Sequence, residues 1–304
     1  MRYLIVFILL GSFVVTVGQQ APLSSQYMMN RLSINPAYAG ELGFNSVSIS
    51  YRKQWVGMEG APTTQNISIH GPVSKGKIGL GIMVFRDVIG VSRENNISAF
   101  FAYKIQKKKD EVLSFGIAAS AVFSNNQWSQ IITSDPNDEA FSNNSPQYIF
   151  PDFSAGFYYK NNNYNIGFSI PNFLQHKLDA SSSGYSIIND FSQYNYLLET
   201  GLIIKSNHII IKPSLLSRYL PNSSFQVDIN CIVDLYNKLG LGVSYRTQDA
   251  IVGMIQFHIN NQMILGYSYD HTISDLQQYN NGSHELFLRY DFLYKIKAID
   301  PRFF

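Results

Sequence analysis

Hydrophobic and polar residues alternate along most of this chain. Between Phe225 and Leu235, apolar side chains occupy every second position, and Gln, Asp and Asn side chains occupy most of the positions between them. A period of two places these two classes of side chain on opposite faces of a β-strand. Fourteen segments show the pattern, at residues 44–53, 63–71, 77–86, 95–105, 112–123, 152–160, 164–171, 194–205, 208–219, 224–235, 238–247, 250–260, 262–271 and 283–293.

The lengths of these segments and of their connections predict a membrane barrel. Most segments have 8 to 12 residues, and a tilted strand needs about 9–11 residues to cross a bilayer. Outer-membrane barrels have an even number of strands and alternate long external loops with short periplasmic turns. We therefore predict an all-β fold, a transmembrane antiparallel β-barrel of about 14 strands over residues 44–293, with both termini periplasmic. The long connections lie near residues 54–62, 87–94, 124–151, 172–193 and 272–282, and the alternate connections have six residues or fewer.

Composition separates this prediction from its main alternative, a soluble β-sandwich or propeller. Charged residues make up only 14% of the 304 residues, and aromatic residues also make up 14%, whereas an average soluble domain has about 25% charged residues. The polar faces of the strands hold Gly, Ser, Asn and isolated charges rather than many Lys and Glu. A net charge of +2 also excludes a strongly basic nucleic-acid binder.

The two ends of the chain differ from the strand-rich middle. Residues 1–18 combine Arg2 with an apolar run and end in Gly18, which predicts a secretory signal peptide. An uncleaved anchor is the alternative, but the apolar run is short for a membrane span. Residues 19–43 precede the first strand and are predicted to enter the lumen as a plug or to pack beneath the barrel. Residues 294–304 form a periplasmic tail that docks on a partner or serves as an assembly signal.

Motifs for catalysis and metal binding are weak. The six histidines are scattered, Cys231 is the single cysteine, and a Gly-x-Ser-x-Gly motif is missing. A membrane hydrolase built from dispersed Ser, His and carboxylate groups remains a hypothesis. We predict no catalytic residue, no metal site and no cofactor.

Alternation turns several charged side chains toward the barrel interior. Charges of both signs on an enclosed face either pair and fill the interior or line a transport path, and pairing is the simpler interpretation. Arg52 and Glu285 have the same inward parity. The candidate lumen charge network comprises Glu199, Lys212, Arg218, Asp228, Arg246, Asp270 and Arg289.

Several blocks along the mature chain together resemble one family. These are Ser25-Gln26-Tyr27-Met28, Asn35-Pro36-Ala37-Tyr38-Ala39-Gly40, Tyr51-Arg52-Lys53-Gln54-Trp55, Gly60-Ala61-Pro62-Thr63-Thr64, Lys212-Pro213-Ser214, Asp228-Ile229-Asn230, Gly242-Val243-Ser244-Tyr245-Arg246, Gly266-Tyr267-Ser268-Tyr269-Asp270 and Gly282-Ser283-His284-Glu285. In this combination and order, the chain resembles the PorP/SprF family of outer-membrane proteins associated with type IX secretion and gliding motility.

The resemblance implies a non-enzymatic integral barrel with protein partners. Composition and alternation add contact with membrane lipid, and the net charge predicts no nucleic-acid partner. The implied partners are a secreted cargo or adhesin with a C-terminal sorting domain and the periplasmic ring lipoproteins of the secretion and gliding apparatus. Candidate partner-binding residues at the external rim are Arg52, Gln54, Trp55, Gly57, Gly60, Pro62, Ser283, His284 and Glu285. Candidate periplasmic contacts are Lys107, Lys108, Lys109, Arg302, Phe303 and Phe304.

The motifs leave the partner and one alternative function open. They do not distinguish a general component of the machine from a copy dedicated to one adhesin. A passive transporter of a hydrophobic small molecule through a plugged barrel is the alternative.

Overall fold

The computed structural model describes residues 24–108, 110–131, 143–179, 184–221 and 225–293. Strands dominate these residues. They are β1 (Asn45–Lys53), β2 (Thr63–Val73), β3 (Ile78–Ile89), β4 (Ser92–Lys108), β5 (Glu111–Asn126), β6 (Tyr148–Lys160), β7 (Tyr164–Ile170), β8 (Gln175–Asp179), β9 (Gly184–Ile188), β10 (Tyr196–Leu202), β11 (Ile204–Lys205), β12 (Ile209–Tyr219), β13 (Phe225–Leu235), β14 (Leu239–Arg246), β15 (Ala250–His258), β16 (Met263–Thr272) and β17 (Ser283–Phe292).

The described helices are short 3₁₀ turns. They span Tyr27–Met29, Arg31–Ser33, Pro36–Tyr38, Ser74–Gly76, Trp128–Gln130, Phe191–Gln193 and Asp275–Tyr279. Within the described ranges, none of the helices is long and apolar enough to cross a membrane.

The strands close into a barrel of fourteen antiparallel strands. Each strand pairs with its neighbour along the chain, and β1 closes the ring by pairing with β17, where Arg52 lies opposite Glu285. Strands β10 and β11 both pair with β12 and are interrupted only at Ile203, so they form one wall strand. Strands β8 and β9 form a separate hairpin outside the wall. The predicted transmembrane-type barrel of about 14 strands is thereby confirmed.

Two of the segments predicted to be long connections contain β-strands in the structure. The segment predicted as a loop at 87–94 is mostly strand, because β3 and β4 pair as far as Ile89 and Ser92 around a two-residue turn. Gly90 in that turn has a φ of 55°, a left-handed conformation that glycine adopts without steric cost. The connection at 172–193 contains the β8–β9 hairpin, which alternation did not predict.

Apolar side chains face outward in register across neighbouring strands. Ile49, Ile67, Val84 and Ile97 pair side by side on β1 to β4, and each is 43–53% exposed. Polar side chains at the intervening positions, such as Ser48, are buried. This inside-out pattern is that of a barrel whose outer belt contacts lipid.

The two ends of the barrel differ in their connections. The end with the longest connections, which we call the loop end, carries residues 54–62 and the described parts of the connections 127–147 and 171–195. The opposite end, the turn end, carries short connections such as residues 74–77 and 161–163. The expectation that both termini lie on one side falls on residues 1–23 and 294–304, outside the described residues. Within the described chain, Ser24 contacts the wall near the loop end, whereas β17 ends at the turn end.

Candidate functional site

Residues 24–43, which we call the lumen segment, lie inside the barrel. Asn35 caps the turn at Pro36–Tyr38, because its side chain accepts a hydrogen bond from the Ala37 amide at 3.0 Å. Five apolar residues of the segment are at most 3% exposed, and most of them pack on inward side chains of the wall. These buried residues are Tyr27, Leu32, Ile34, Ala37 and Ala39.

The wall makes room for the lumen segment with glycine. A Cβ added at Gly116 would lie 2.2 Å from the Ala37 nitrogen, and one added at Gly79 would lie 1.9 Å from the Ala39 oxygen. Real Cβ atoms do not approach other atoms so closely, so any larger residue would push the segment away. The glycines therefore fit the wall to the backbone of the segment.

A buried cluster of charges holds the lumen segment near the loop end. The Ser25 hydroxyl donates to Asp270 Oδ2 at 2.6 Å and accepts hydrogen bonds from Arg52 Nη1 at 2.9 Å and Arg246 Nη2 at 3.2 Å. The Ser25 amide donates to Glu285 Oε2 at 2.7 Å. The hydroxyl and the backbone amide of Ser25 are therefore both fixed by charged side chains of the wall.

The charged side chains also pair with one another. Arg52 forms ion pairs with Asp270 at 2.8 Å and Glu285 at 3.3 Å, and Arg246 pairs with Asp228 at 3.2 Å. All five are at most 4% exposed. We call these five residues and Ser25 the Ser25 cluster. Removing one partner from such a buried group leaves an uncompensated charge, so the cluster requires a defined geometry.

Tyr27 continues this attachment to the wall. Its hydroxyl accepts a hydrogen bond from Asn230 Nδ2 at 2.6 Å. Burial, together with the nearby Asp228 carboxylate, raises the pKa of the Tyr27 hydroxyl above its usual range. The phenol therefore stays neutral at physiological pH.

Separate ion pairs hold the rest of the lumen segment. Arg31 lies 3.6 Å from Glu199. Glu41 pairs with Lys160 at 2.7 Å and with Lys104 at 3.5 Å. The Arg289 guanidinium donates to the Met29 carbonyl at 3.4 Å.

The predicted lumen charge network is therefore divided into groups. Asp228, Arg246 and Asp270 join the Ser25 cluster, and Arg218 is buried on the strand next to Asp228. Glu199 and Arg289 contact other parts of the lumen segment. Lys212 pairs with Asp234 on the neighbouring strand and is 41% exposed. Most of these charges thus hold the lumen segment in place.

Two distant segments meet at the loop end. The Val56 amide donates to the Gly282 carbonyl at 2.8 Å, and the Asn281 amide donates to the Val56 carbonyl at 2.7 Å. The Trp55 amide also donates to Ser283 Oγ at 3.1 Å. Residues 54–62 and 280–284 therefore form one surface, which we call the rim patch.

Backbone conformation in the rim patch is unusual. Trp55 has a φ of 43°, which is rare for a bulky residue and costs conformational energy. Gly282 has a φ of 82°, and a Cβ there would lie 2.5 Å from the Asp270 carbonyl oxygen. Strain of this kind is found where a surface must keep one particular shape.

The residues predicted for the external rim lie in different environments in the structure. Arg52 and Glu285 are not exposed there, because both are buried in the Ser25 cluster. Pro62 and Ser283 are also buried, and their oxygens accept backbone hydrogen bonds within the patch. His284 lies on the outer wall, where its ring is 2.6 Å from the Tyr267 hydroxyl. Gln54 and Trp55 are half-buried, and Gly57 and Gly60 are exposed.

The predicted periplasmic contacts are only partly described. Lys107 and Lys108 are exposed at the turn end, and Lys108 pairs with Glu111 at 3.1 Å. Lys109, Arg302, Phe303 and Phe304 lie outside the described residues.

Sequence reasoning missed the residues of the lumen segment that hold it in place. Ser25, Arg31 and Glu41 precede the first strand, so alternation assigns them no face. The available signal was polarity: this short stretch carries an arginine, a glutamate and several Ser and Asn residues, as expected of a segment inside a polar lumen.

Comparison with known proteins gives a family and a fold. A family model described as Type IX secretion system membrane protein PorP/SprF matches residues 16–290. A comparison with curated protein sequences found no match. The chain is similar to the CymD monoaromatic hydrocarbon channel, with 11% identity and a TM-score of 0.54 over 91% of this chain and 95% of that chain.

Two further structures are less similar. The P. putida toluene transporter TodX has 9% identity and a TM-score of 0.49 over 88% of this chain and 95% of that chain. The Acinetobacter baumannii outer membrane protein Omp33 has 9% identity and a TM-score of 0.47 over 82% of this chain and 98% of that chain. At 11% identity, the similarity to the CymD channel indicates a shared barrel fold and does not indicate a shared substrate.

Proposed function

This chain belongs to the PorP/SprF family of type IX secretion membrane proteins and is an integral outer-membrane barrel, and from that premise we propose that it holds a secreted cargo at the cell surface. The proposed role is non-enzymatic: the barrel anchors, or assists the export of, a cargo or adhesin through its C-terminal domain. In this proposal the loop end faces outward, and the turn end contacts periplasmic ring lipoproteins. Gliding motility would follow where the cargo is an adhesin.

The observation that carries this proposal is the rim patch. Two segments more than two hundred residues apart are joined by backbone hydrogen bonds, and Trp55 keeps a left-handed conformation within them. Such an ordered surface can bind a partner with little loss of conformational entropy. Partly exposed tryptophans are also common among the residues that dominate protein interfaces.

The rim patch is also connected to the lumen segment. Arg52 lies in β1 two residues before the patch, and Glu285 directly follows the patch in β17. Both side chains bind Ser25. The lumen segment therefore supports the patch from inside the barrel. This arrangement favours a rigid anchor over a flexible surface.

Affinity purification from outer membranes tests the proposal. The tagged wild-type protein, extracted in mild detergent, should retain a cargo C-terminal domain and ring lipoproteins. Trp55→Ala should reduce the recovered cargo about tenfold, as expected for an interface residue worth about 1.4 kcal/mol. Lys107→Gln with Lys108→Gln should instead reduce ring components.

Phe191→Ala provides a matched control at the loop end. Phe191 is an aromatic residue, 71% exposed, on a different connection, so its removal should leave cargo recovery unchanged. Recovery of the wild-type barrel alone, under conditions that preserve other type IX complexes, would contradict the proposal.

The orientation can be tested separately with single cysteines. In a Cys231→Ser background, Glu59→Cys lies at the loop end and Lys75→Cys at the turn end, and both positions are exposed. A membrane-impermeant maleimide added to intact cells should label position 59 and not position 75. Labelling of position 75 alone would reverse the proposed orientation.

Passive transport is the competing function. The close fit of the lumen segment against Gly79 and Gly116 counts against it, because a solute would pass only if the segment moved. An apolar groove of about 390 Å³, lined by residues such as Ala119 and Phe153, lies on the outer wall rather than in the lumen. Loss of solute uptake on deletion, with secretion intact, would favour the transporter.

A further inference from the structure

Three cationic side chains lie on the outer wall near the loop end. Lys53 on β1, Arg86 on β3 and Arg93 on β4 have the same outward parity as the exposed apolar residues of their strands. Lys53 and Arg86 are exposed, and Arg93 is half-buried. Among the described residues, none of the three has a carboxylate within ion-pair distance.

The strand register places these cations close together. Lys53 pairs with Thr63, Thr63 with Val88, and Val88 with Arg93. Lys53 and Arg93 therefore belong to the same row of paired residues across the strands, which we call a level, and lie three strands apart. Arg86 lies on β3, a strand between those of Lys53 and Arg93. It is two residues from Val88, and therefore nearer the turn end than the other two cations. Strand spacing gives about 14 Å between the backbones of Lys53 and Arg93.

The cations lie at the upper edge of the apolar belt. One level nearer the turn end than Arg86, the outward residue of each of the four strands is apolar; on β1 this residue is Ile49. Successive levels are about 7 Å apart along a strand. Cations just above the hydrocarbon region lie at the depth of lipid headgroups. Unpaired cations there attract anionic headgroups.

We propose that Lys53, Arg86 and Arg93 bind the phosphate groups of a phosphorylated glycolipid in the membrane leaflet at the loop end. The spacing of the outer two cations is comparable to the length of a disaccharide, so phosphates at both ends of such a sugar can be contacted together. Thr63 and Gln65 lie on β2, between Lys53 and the two arginines, and Asn95 lies beside Arg86 on β4. These three side chains offer neutral hydrogen-bonding groups to the sugar. A glycerophospholipid carries a single phosphate and would use only part of this site.

This inference rests on the orientation proposed above, because phosphorylated glycolipid occupies the outer leaflet of an outer membrane. A binding test in detergent does not depend on orientation. Failure of the lipid site and failure of the orientation are therefore distinguishable through the cysteine-labelling experiment.

Binding of purified diphosphorylated lipid A to the full-length protein in nonionic detergent tests the site. The triple variant Lys53→Gln, Arg86→Gln, Arg93→Gln should bind about 100-fold more weakly, since one cation beside an anionic membrane surface contributes about fivefold. Its far-ultraviolet circular dichroism and its heat-dependent gel migration should match those of the wild type, which separates lost binding from misfolding.

A turn-end variant is the matched control. Lys75→Gln, Lys77→Gln, Lys238→Gln removes three exposed cations from the opposite end and should leave lipid A binding unchanged. Enzymatically dephosphorylated lipid A should bind the wild-type protein as weakly as intact lipid A binds the triple variant.

Four results would overturn the inference. The first three are equal binding by the triple variant and the wild type, an equal loss in the turn-end control, and equal binding of dephosphorylated lipid A. Binding of an anionic glycerophospholipid as tight as that of lipid A would also overturn it, because the site would then recognise negative charge alone.

Discussion

The lumen segment is held in different ways at its two ends. Near the loop end the wall supplies charges of both signs, and the segment supplies the neutral Ser25. Near the turn end the segment supplies the charge, Glu41, and the wall supplies two lysines. The charged side chains of the Ser25 cluster are all nearly inaccessible to solvent. At the turn end the side chains of Glu41 and Lys104 are also buried, and the Lys160 side chain, 36% exposed, reaches solvent.

This difference in solvent exposure predicts a difference in stability. Buried charges lose their hydration and depend on every partner being in place, whereas a partly solvated partner such as Lys160 keeps some of its hydration and contributes less to stability. The loop end of the segment is therefore expected to be strictly positioned and the turn end more tolerant. This fits the proposed role, in which the surface at the loop end must keep its shape.

The largest expected effect is that of Arg52→Ala. It leaves Asp270 and Glu285 buried without their main cation, so the free energy of unfolding should fall by about 3–5 kcal/mol. Urea unfolding in lipid vesicles, followed by tryptophan fluorescence, measures this. Lys53→Ala is the matched control, because Lys53 is adjacent and exposed, and it should change stability by less than about 0.5 kcal/mol. Equal losses in both variants would mean that the cluster does not hold the loop end.

The next largest effect is expected for Gly116→Ala. It tests how closely the wall fits the lumen segment at a position between its two ends. The added methyl group would collide with the Ala37 backbone, so we expect a loss of about 1–3 kcal/mol and weaker protection of residues 36–39. Hydrogen exchange measures that protection, and ion conductance in planar bilayers should rise as the segment moves. Gly253→Ala is the control, because a methyl group added there would meet no other part of the described chain within 4 Å, and it should behave as the wild type does.

The smallest effect is expected at the turn end. Glu41→Gln keeps a hydrogen-bonding group beside Lys104 and Lys160 and removes the charge, so we expect a loss of about 1–2 kcal/mol in the same urea measurement. Glu111→Gln is the control, because its partner Lys108 is 76% exposed, and it should cost less than about 0.5 kcal/mol. A loss from Glu41→Gln as large as that from Arg52→Ala would remove the contrast between the ends.

Much of the barrel wall could be predicted from the sequence. Alternation located all fourteen wall strands because each strand has one face toward lipid and one toward the lumen. Apolar and polar residues therefore alternate along each strand. It missed the β8–β9 hairpin, which lies outside the wall and has no such division. It also placed a loop at 87–94, where the strands continue beyond the apolar belt and alternation no longer distinguishes lipid from lumen.

The candidate site was less predictable. The rim blocks were recognised in sequence, but their joining through Val56 and Gly282 depends on ring closure between β1 and β17. Arg52 and Glu285 have the inward parity of lumen residues and were also assigned to the rim, because sequence position alone does not separate the last residues of a strand from the loop that follows.

The sequence by itself determined the wall: its strand number, its outward apolar face and its inward polar face follow from a period of two, which is a local property. Only the tertiary structure decided how the interior is used. Ser25, Arg52 and Glu285 are far apart in the chain and meet only after the ring has closed around the lumen segment. Which buried charges pair depends on that closure, because electrostatic partners are chosen by distance in space rather than by spacing in sequence.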